Sequence, residues 1–258
     1  MGGASRLIGA GLLSILAILG SAARADEPDN SKVWDIMVGG GLAVAPRYEG
    51  ADRERFQPVP FASVTYRDTV RLGPDGLAVT VLNMDGFSVA PALGYGGGRK
   101  ESQDSNLKGL GTIQSALTVG VILKYQTGPF SFTITPREAV VHSNDGFVTN
   151  LAAAYDWQVA PRLKLSIGPT LSLVDGRYAQ TYFGVDAQQS ARSGKRVYSP
   201  DGGVKDVGLT GSLSYAIDDH WVLRTSVSDR ELVGDAADSP IVRSKNQASI
   251  VTGIGYRF

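Results

Sequence analysis

From Trp34 to the end of the chain, apolar side chains recur at every second position, and that period constrains the fold more than any other feature. Leu163, Leu165, Ile167, Pro169, Leu171 and Leu173 alternate with Lys164, Ser166, Gly168, Thr170 and Ser172. Val207, Leu209, Leu213, Tyr215 and Ile217 alternate with Asp206, Gly208, Thr210, Ser212 and Ser214, and the same rhythm runs through 117–125 and 147–159. Successive side chains of a strand point to opposite faces, so each run is a strand with one apolar face and one polar or small face. Each is about ten residues long, the length a tilted strand needs to cross a bilayer.

A soluble β-sandwich would alternate in the same way with its apolar face turned inward. Three features favour a membrane barrel. Aromatics stand near strand ends, at Trp34, Tyr66, Tyr95, Tyr125, Trp157, Trp221 and Tyr256, as interfacial girdles do. The polar face is crowded with Gly, Ser and Thr and carries an occasional Arg or Lys, which suits a narrow wet lumen. Short connections at 126–129, 160–162 and 217–220 alternate with long ones at 96–111, 175–203 and 232–245. That is the outer-membrane pattern of short periplasmic turns and long extracellular loops. The expected fold is therefore all-β, a transmembrane antiparallel up-and-down β-barrel.

Strand number follows from parity. With both termini in the periplasm, the turns at 67–69 and 84–86 are both periplasmic, so an even number of strands separates them. Splitting 70–83 at Gly73-Pro74-Asp75-Gly76 gives about twelve strands, with ten as the alternative. They fall near 34–48, 55–66, 69–73, 76–83, 86–96, 112–126, 130–142, 147–159, 163–175, 204–217, 221–231 and 246–258. In the last of these, Gly253, Tyr256 and Phe258 resemble the signal that outer-membrane barrels present to their barrel assembly machinery, with Val251 where that signal prefers a polar residue. At the other end, Arg6, the apolar run 7–19 and Ala23-Arg24-Ala25 read as a secretory signal peptide over 1–25, too short to span a bilayer as a helix. The expected organisation is that signal, a periplasmic segment 26–33, and a barrel 34–258 surrounded by the outer-membrane lipid of a Gram-negative envelope.

Candidate chemistry is sparse. The 25 acidic and 25 basic side chains balance, without the cationic excess a nucleic-acid binder needs. The absence of Cys excludes disulfides and thiolate metal sites. His142-Ser143-Asn144 is loosely similar to a lipase set, but adjacent strand residues face opposite ways, and Asn144-Asp145-Gly146 is a hairpin turn signal on its own. His220, the only other histidine, follows Asp218-Asp219 at a turn on the opposite side of the membrane, so no catalytic residue is expected. The glycine runs 39–41 and 94–98 precede no helix and are not phosphate cradles; a tight lumen accounts for them. Glu231, Asp235 and Asp238 could gather a Ca²⁺ with loop carbonyls, but a solvated acidic loop is the simpler reading. No metal or cofactor is expected. Glu138 has the parity of a lipid-facing residue: either a bulge at Pro136 re-aims it, or it already stands above the hydrocarbon.

Several strings, in order across nearly the whole barrel region, are similar to the MipA/OmpV family of outer-membrane proteins. They are GLAVAPRYEG at 41–50, Pro58-Val59-Pro60-Phe61, Asn106-Leu107-Lys108-Gly109-Leu110-Gly111, Tyr182-Phe183-Gly184-Val185 with Gln189, Ser190 and Gly194, Gly203 with Asp206, and LVGDAADSPIV at 232–242. The resemblance implies an outer-membrane β-barrel. It also implies partners: one member is a scaffold between an MltA-type lytic transglycosylase and a bifunctional peptidoglycan synthase, while others are associated with adhesion or with antibiotic and osmotic responses. The leading expectation is a non-enzymatic scaffold in cell-wall assembly; the alternative is a small-solute channel or an outer-surface binding barrel. Candidate residues for loop packing or for a ligand are Tyr182, Phe183, Arg192, Lys195, Arg196, Asp235 and Asp238. The segment 178–198, rich in Tyr, Gln, Ser and Gly, reads as an adaptable loop over the barrel mouth, with Asp235 and Asp238 as the carboxylates expected to meet Arg192, Lys195 or Arg196.

Overall fold

The computed structural model describes residues 33–141 and 146–258. The segment 1–25 read as a signal peptide and most of the segment 26–33 lie outside the described residues, as do His142, Ser143, Asn144 and Asp145. Thirteen antiparallel ladder segments follow among the described residues: β1 (Trp34–Pro46), β2 (Glu54–Tyr66), β3 (Val70–Gly73), β4 (Gly76–Val79), β5 (Leu82–Met84), β6 (Phe87–Gly96), β7 (Ala116–Thr127), β8 (Phe130–Ala139), β9 (Phe147–Ala160), β10 (Leu163–Val174), β11 (Gly203–Ala216), β12 (Trp221–Leu232) and β13 (Asn246–Arg257). β1 pairs with β13 from Met37 opposite Arg257 to Val44 opposite Ile250, and β4 pairs with β6 at Leu77 and Ala78, which closes the ring.

β4 and β5 are two halves of one strand, so the barrel has twelve strands rather than ten. At the break, the Thr80 N–H donates to the Thr69 carbonyl on one side and the Val81 N–H to the Val89 carbonyl on the other. Pairing with the β3 side ends there while pairing with β6 continues, and both N–H groups keep a partner.

The apolar half of each alternating pattern faces out. Val38, Leu42, Phe132, Ile134, Ile167, Leu209, Val227, Ile250 and Ile254 are all exposed, whereas Ser226, Ser228, Gln247 and Ser249 on the opposite face are buried. A sandwich would bury the first set, so the inversion decides for a lipid-facing surface. The expected girdle is one-sided. Except for Tyr95, its aromatics stand at the periplasmic ends of their strands, where Trp34 packs on Tyr66 at 4.6 Å and Tyr256 lies 5.2 Å from Trp221 and 5.3 Å from His220.

Glycine in β1 and β13 serves packing inside the lumen. A Cβ at Gly39, Gly253 or Gly255 would stand 2.5, 3.3 or 3.1 Å from the ring of Phe61, which fills that side of the barrel. In β8 the register with β7 is unshifted from Ala139 opposite Thr118 to Ile134 opposite Leu123, so Pro136 makes no bulge. Glu138 keeps its outward parity at the outer end of the strand, where Arg177 pairs with it at 3.0 Å.

The hairpin β3–β4 is short, and this leaves a notch in the wall. β2 pairs with β3 only over Val64–Tyr66, so among the described residues no strand lies against its residues 54–63 on that side. Pro58 and Pro60, two apart, direct their nitrogens to the same edge while the register with β1 continues past both. Prolines without N–H donors suit a strand edge that lacks a partner.

Three strands end short of the sequence-based bounds: β1 stops at Pro46 rather than 48, β7 starts at Ala116 rather than 112, and β8 stops at Ala139 rather than 142. In the first two cases the chain turns inward to cover the outer mouth, as with buried Tyr48, and Ile113 keeps only an isolated bridge to Arg99.

Candidate functional site

The outer mouth is covered by folded loops. The segment read from sequence as an adaptable loop is instead two capped helices, α1 (Gly176–Phe183) and α2 (Ala187–Ser193), with a third turn α3 (Gly234–Ala237) in the last loop. Asp175 starts α1 by accepting from the backbone of Tyr178 at 2.8 Å and of Phe147 at 3.0 Å. Asp186 and Gln189 start α2 as a reciprocal capping box, and Gly194 ends it in the left-handed conformation at φ 73°. These local signals satisfy the helix ends, and tertiary contacts do the rest.

Two apolar clusters hold the cap together. Tyr178, Tyr182 and Phe183 of α1 pack with Val174, Leu232, Ala236 and Ala237; Tyr48, Leu107, Leu110, Val185 and Ile241 form the second cluster. Most of these residues lie in the strings that carry the family resemblance, so strings far apart in sequence meet at one place. Asn106 ties them: its amide donates to the Tyr48 hydroxyl at 2.6 Å and to the Ile241 carbonyl at 2.7 Å, and its oxygen accepts from Lys195 Nζ at 2.6 Å.

The expected carboxylate pairing is replaced by backbone contacts. Lys195 also reaches the Pro240 carbonyl at 3.2 Å, and Arg196 donates to the Asp238 carbonyl at 2.8 Å while lying over the Tyr198 ring. Asp238 pairs instead with Lys245 at 3.4 Å, and the Asp235 carboxylate accepts from the Asp201 N–H at 2.8 Å. Arg192 contributes backbone, for a Cβ at Gly109 would stand 2.7 Å from its carbonyl carbon. Among the described residues no group of three His, Asp or Glu side chains gathers as a metal site; Glu231 stands at the end of β12.

Under the cap lies a buried charge network that sequence reasoning did not single out. Lys205 ion-pairs with Glu49 and, at 3.1 Å, with Asp206; Tyr178 donates to Glu49 at 3.0 Å and Ser172 to Asp206 at 2.9 Å, with Arg230 3.9 Å from Asp206. Removing one partner of such a network strands a buried charge, which is far costlier than the pair is favourable. A cavity of about 40 Å³ adjoins it, lined by Glu49, Asp206 and Arg230 of the network and by Arg47, Arg55, Arg99 and Ser249. Arg99 is only 5% exposed and donates to the Tyr182 carbonyl at 2.6 Å. Burial pulls its guanidinium down to about 10, against the opposing pull of Tyr182, Tyr48 and Glu49. Glu49, Asn106 and Asp206 lay within the quoted strings, but nothing in the sequence marked Arg99 or Lys205 as different from solvated cations.

Below, the lumen holds a cavity of about 380 Å³. It reaches from Gln126 and Ser214, near the periplasmic ends of β7 and β11, to Arg230 near the outer end of β12. Its polar lining is Ser, Thr, Asn and Gln with Arg71, Lys124, Arg137, Lys164 and Arg230 against Asp75 and Asp156, beside Ala152 and Ala154, so the interior is polar and cationic.

A closed twelve-strand barrel with an apolar outer face, a polar lumen and a folded cap over one mouth defines an outer-membrane barrel protein. The family described as MltA-interacting protein MipA matches residues 38–258, and the chain belongs to it. Its relatives include the putative outer membrane protein YiaT of Escherichia coli K12, 32% identical over 122 residues, which are 46% of this chain and 48% of that protein. The MltA-interacting protein of the same organism is 26% identical over 62% of this chain and 63% of its own. OmpV of Vibrio cholerae is 26% identical over 63% of each. The chain thus spans between about half and just under two thirds of the length of these relatives. Among solved structures, the translocator domain of the autotransporter NalP from Neisseria meningitidis superimposes with a TM-score of 0.47 at 8% identity, covering 96% of this chain and 94% of that one.

Proposed function

We propose that this barrel is a non-enzymatic docking protein that holds a lytic transglycosylase of the MltA type, and with it a peptidoglycan synthase, at the inner face of the outer membrane. One observation carries the reading: the outer mouth is packed shut, with Leu107, Phe183, Val185 and Ile241 at 0% exposure, which leaves the periplasmic rim as the polar surface within reach of a periplasmic partner. That rim presents Arg162 and Asp219, ion-paired at 3.4 Å and both largely exposed, beside the aromatic group of His220, Trp221 and Tyr256. The family description and the name of one relative, both of which mention MltA, support a partner of that type. On the same reading Gly253, Tyr256 and Phe258 serve assembly of the barrel.

The test is affinity capture from solubilised envelopes. The parent chain recovers a lytic transglycosylase, and Arg162→Glu with Asp219→Lys lowers that recovery severalfold while the barrel still forms. Equal recovery by the variant, or none by the parent, removes the docking role. A second reading, a path for small solutes, is favoured by the 380 Å³ cationic lumen. Steady single-channel conductance in planar bilayers without any captured partner would select it.

A further inference from the structure

The cavity beneath the cap gathers hydrogen-bond donors that have nothing to bond. Arg55 Nε, Arg99 Nε, Arg230 Nε and Ser249 Oγ are all buried and all without a hydrogen-bond partner among the described residues, and all four side chains line the same 40 Å³ cavity. Native proteins seldom bury such groups unsatisfied, and four around one space is a reason to ask what accepts from them.

Glu49 and Asp206 also line the cavity, and both are already committed. Glu49 accepts from Lys205 and Tyr178, and Asp206 from Lys205 and Ser172, with Arg230 alongside. Arg47 has Asp104 at 3.6 Å. Arg55 and Arg99 are in no ion pair among the described residues, so the cavity keeps an excess of positive charge.

We infer that this cavity is a binding site for a compact tetrahedral oxyanion, a phosphate group, held by Arg55, Arg99, Arg230 and Ser249. Three points select that class. The space is several times what one water needs but too small for a sugar ring. The donors come from β2, the loop after β6, β12 and β13, and so converge from several directions, whereas a planar carboxylate is served by a single guanidinium fork. Guanidinium groups are the usual partners of phosphate oxygens, and in a water-poor pocket such bonds are stronger than at a surface.

Arg99 is held in place by the Tyr182 carbonyl, and Tyr182 by the Gly97 carbonyl at 3.1 Å, so the site is built before the anion arrives. The phosphate has two possible sources, a free solute and the headgroup of an outer-leaflet lipid. Arg55 lies on the part of β2 that borders the notch, which gives a headgroup an approach from the side.

The experiment uses the full barrel in a neutral detergent. Isothermal titration with inorganic phosphate is expected to give saturable binding that falls about tenfold or more in Arg55→Gln/Arg99→Gln and stays unchanged in Arg192→Gln, an exposed arginine outside the cavity. Acetate is expected to bind more weakly than phosphate. In nanodiscs, lipid A with its phosphates and dephosphorylated lipid A separate the sources: retention of only the phosphorylated form, lost in the double variant, supports a headgroup. Because the double variant could fail to fold, the parent alone gives a second readout, a melting temperature raised by phosphate and not by equal ionic strength of chloride. Phosphate binding that is equal in parent and double variant, or absent in parent for phosphate and lipid A alike, overturns the site.

Discussion

Asn106 shows how a single side chain organises this molecule. It satisfies the Tyr48 hydroxyl, the Ile241 carbonyl and the Lys195 ammonium at once, and so joins the β1–β2, β6–β7, β10–β11 and β12–β13 outer loops. Asn106→Ala removes three hydrogen bonds at once from a partly buried setting and leaves Lys195 with the Pro240 carbonyl and Ile241 with the Tyr48 hydroxyl, each at 3.2 Å, at a cost of roughly 1–3 kcal/mol to the cap. The expected result is faster amide exchange at 101–113 and 239–243 with unchanged exchange in the strands. Asp175 makes a pH-dependent contribution. Burial alone would raise its carboxyl, but the N–H groups of Tyr178 and Phe147 and the Arg177 guanidinium outweigh that and hold it below the ordinary carboxylate range. A pKa lowered by folding gives stability that is present above the unfolded value, about 3.9, and lost as pH falls through the folded one. Asp175→Asn should therefore loosen α1 at neutral pH, and the difference from the parent should vanish in acid, read as protease sensitivity of the cap against pH.

At the scale of elements, strands and loops were legible to different degrees. The strands announced themselves because a lipid-facing surface forces an apolar residue at every second position, as in 163–173. The split of the fourth strand at Thr80 and Val81 left no such mark, since both residues keep backbone partners and only the neighbour changes. The helices of the cap were missed for a different reason. Asp175, and Asp186 with Gln189, are ordinary helix-start signals, but helices of eight and seven residues gain little from propensity and exist through packing. Nothing in the sequence sets Arg55 or Arg99 apart from other cations, and only the fold puts them in one cavity. If the cap is a separate cooperative unit, Phe183→Ala, at a site with 0% exposure, should cost about 3–5 kcal/mol there alone. Trypsin should then cut rapidly at Arg192 and Arg196 while the barrel keeps its heat-modifiable mobility in gels. Simultaneous loss of the barrel would show that cap and wall are one unit.

Over the whole molecule, the two ends of the barrel are built for different environments. The outer end is roofed by helices and two apolar clusters; the periplasmic end has short turns, an aromatic band and a polar cationic lumen whose walls reach down to Gln126 and Ser214. That asymmetry underlies both the docking proposal and the enclosed phosphate site. It is tested most directly by labelling single cysteines, in a chain that has none, with a membrane-impermeant maleimide. Arg192→Cys on the cap should react on intact cells; Asp219→Cys at the periplasmic turn and Ser212→Cys on the lumen wall should react only once the outer membrane is opened. Reaction of Ser212→Cys on intact cells at the rate of Arg192→Cys would contradict a closed outer mouth.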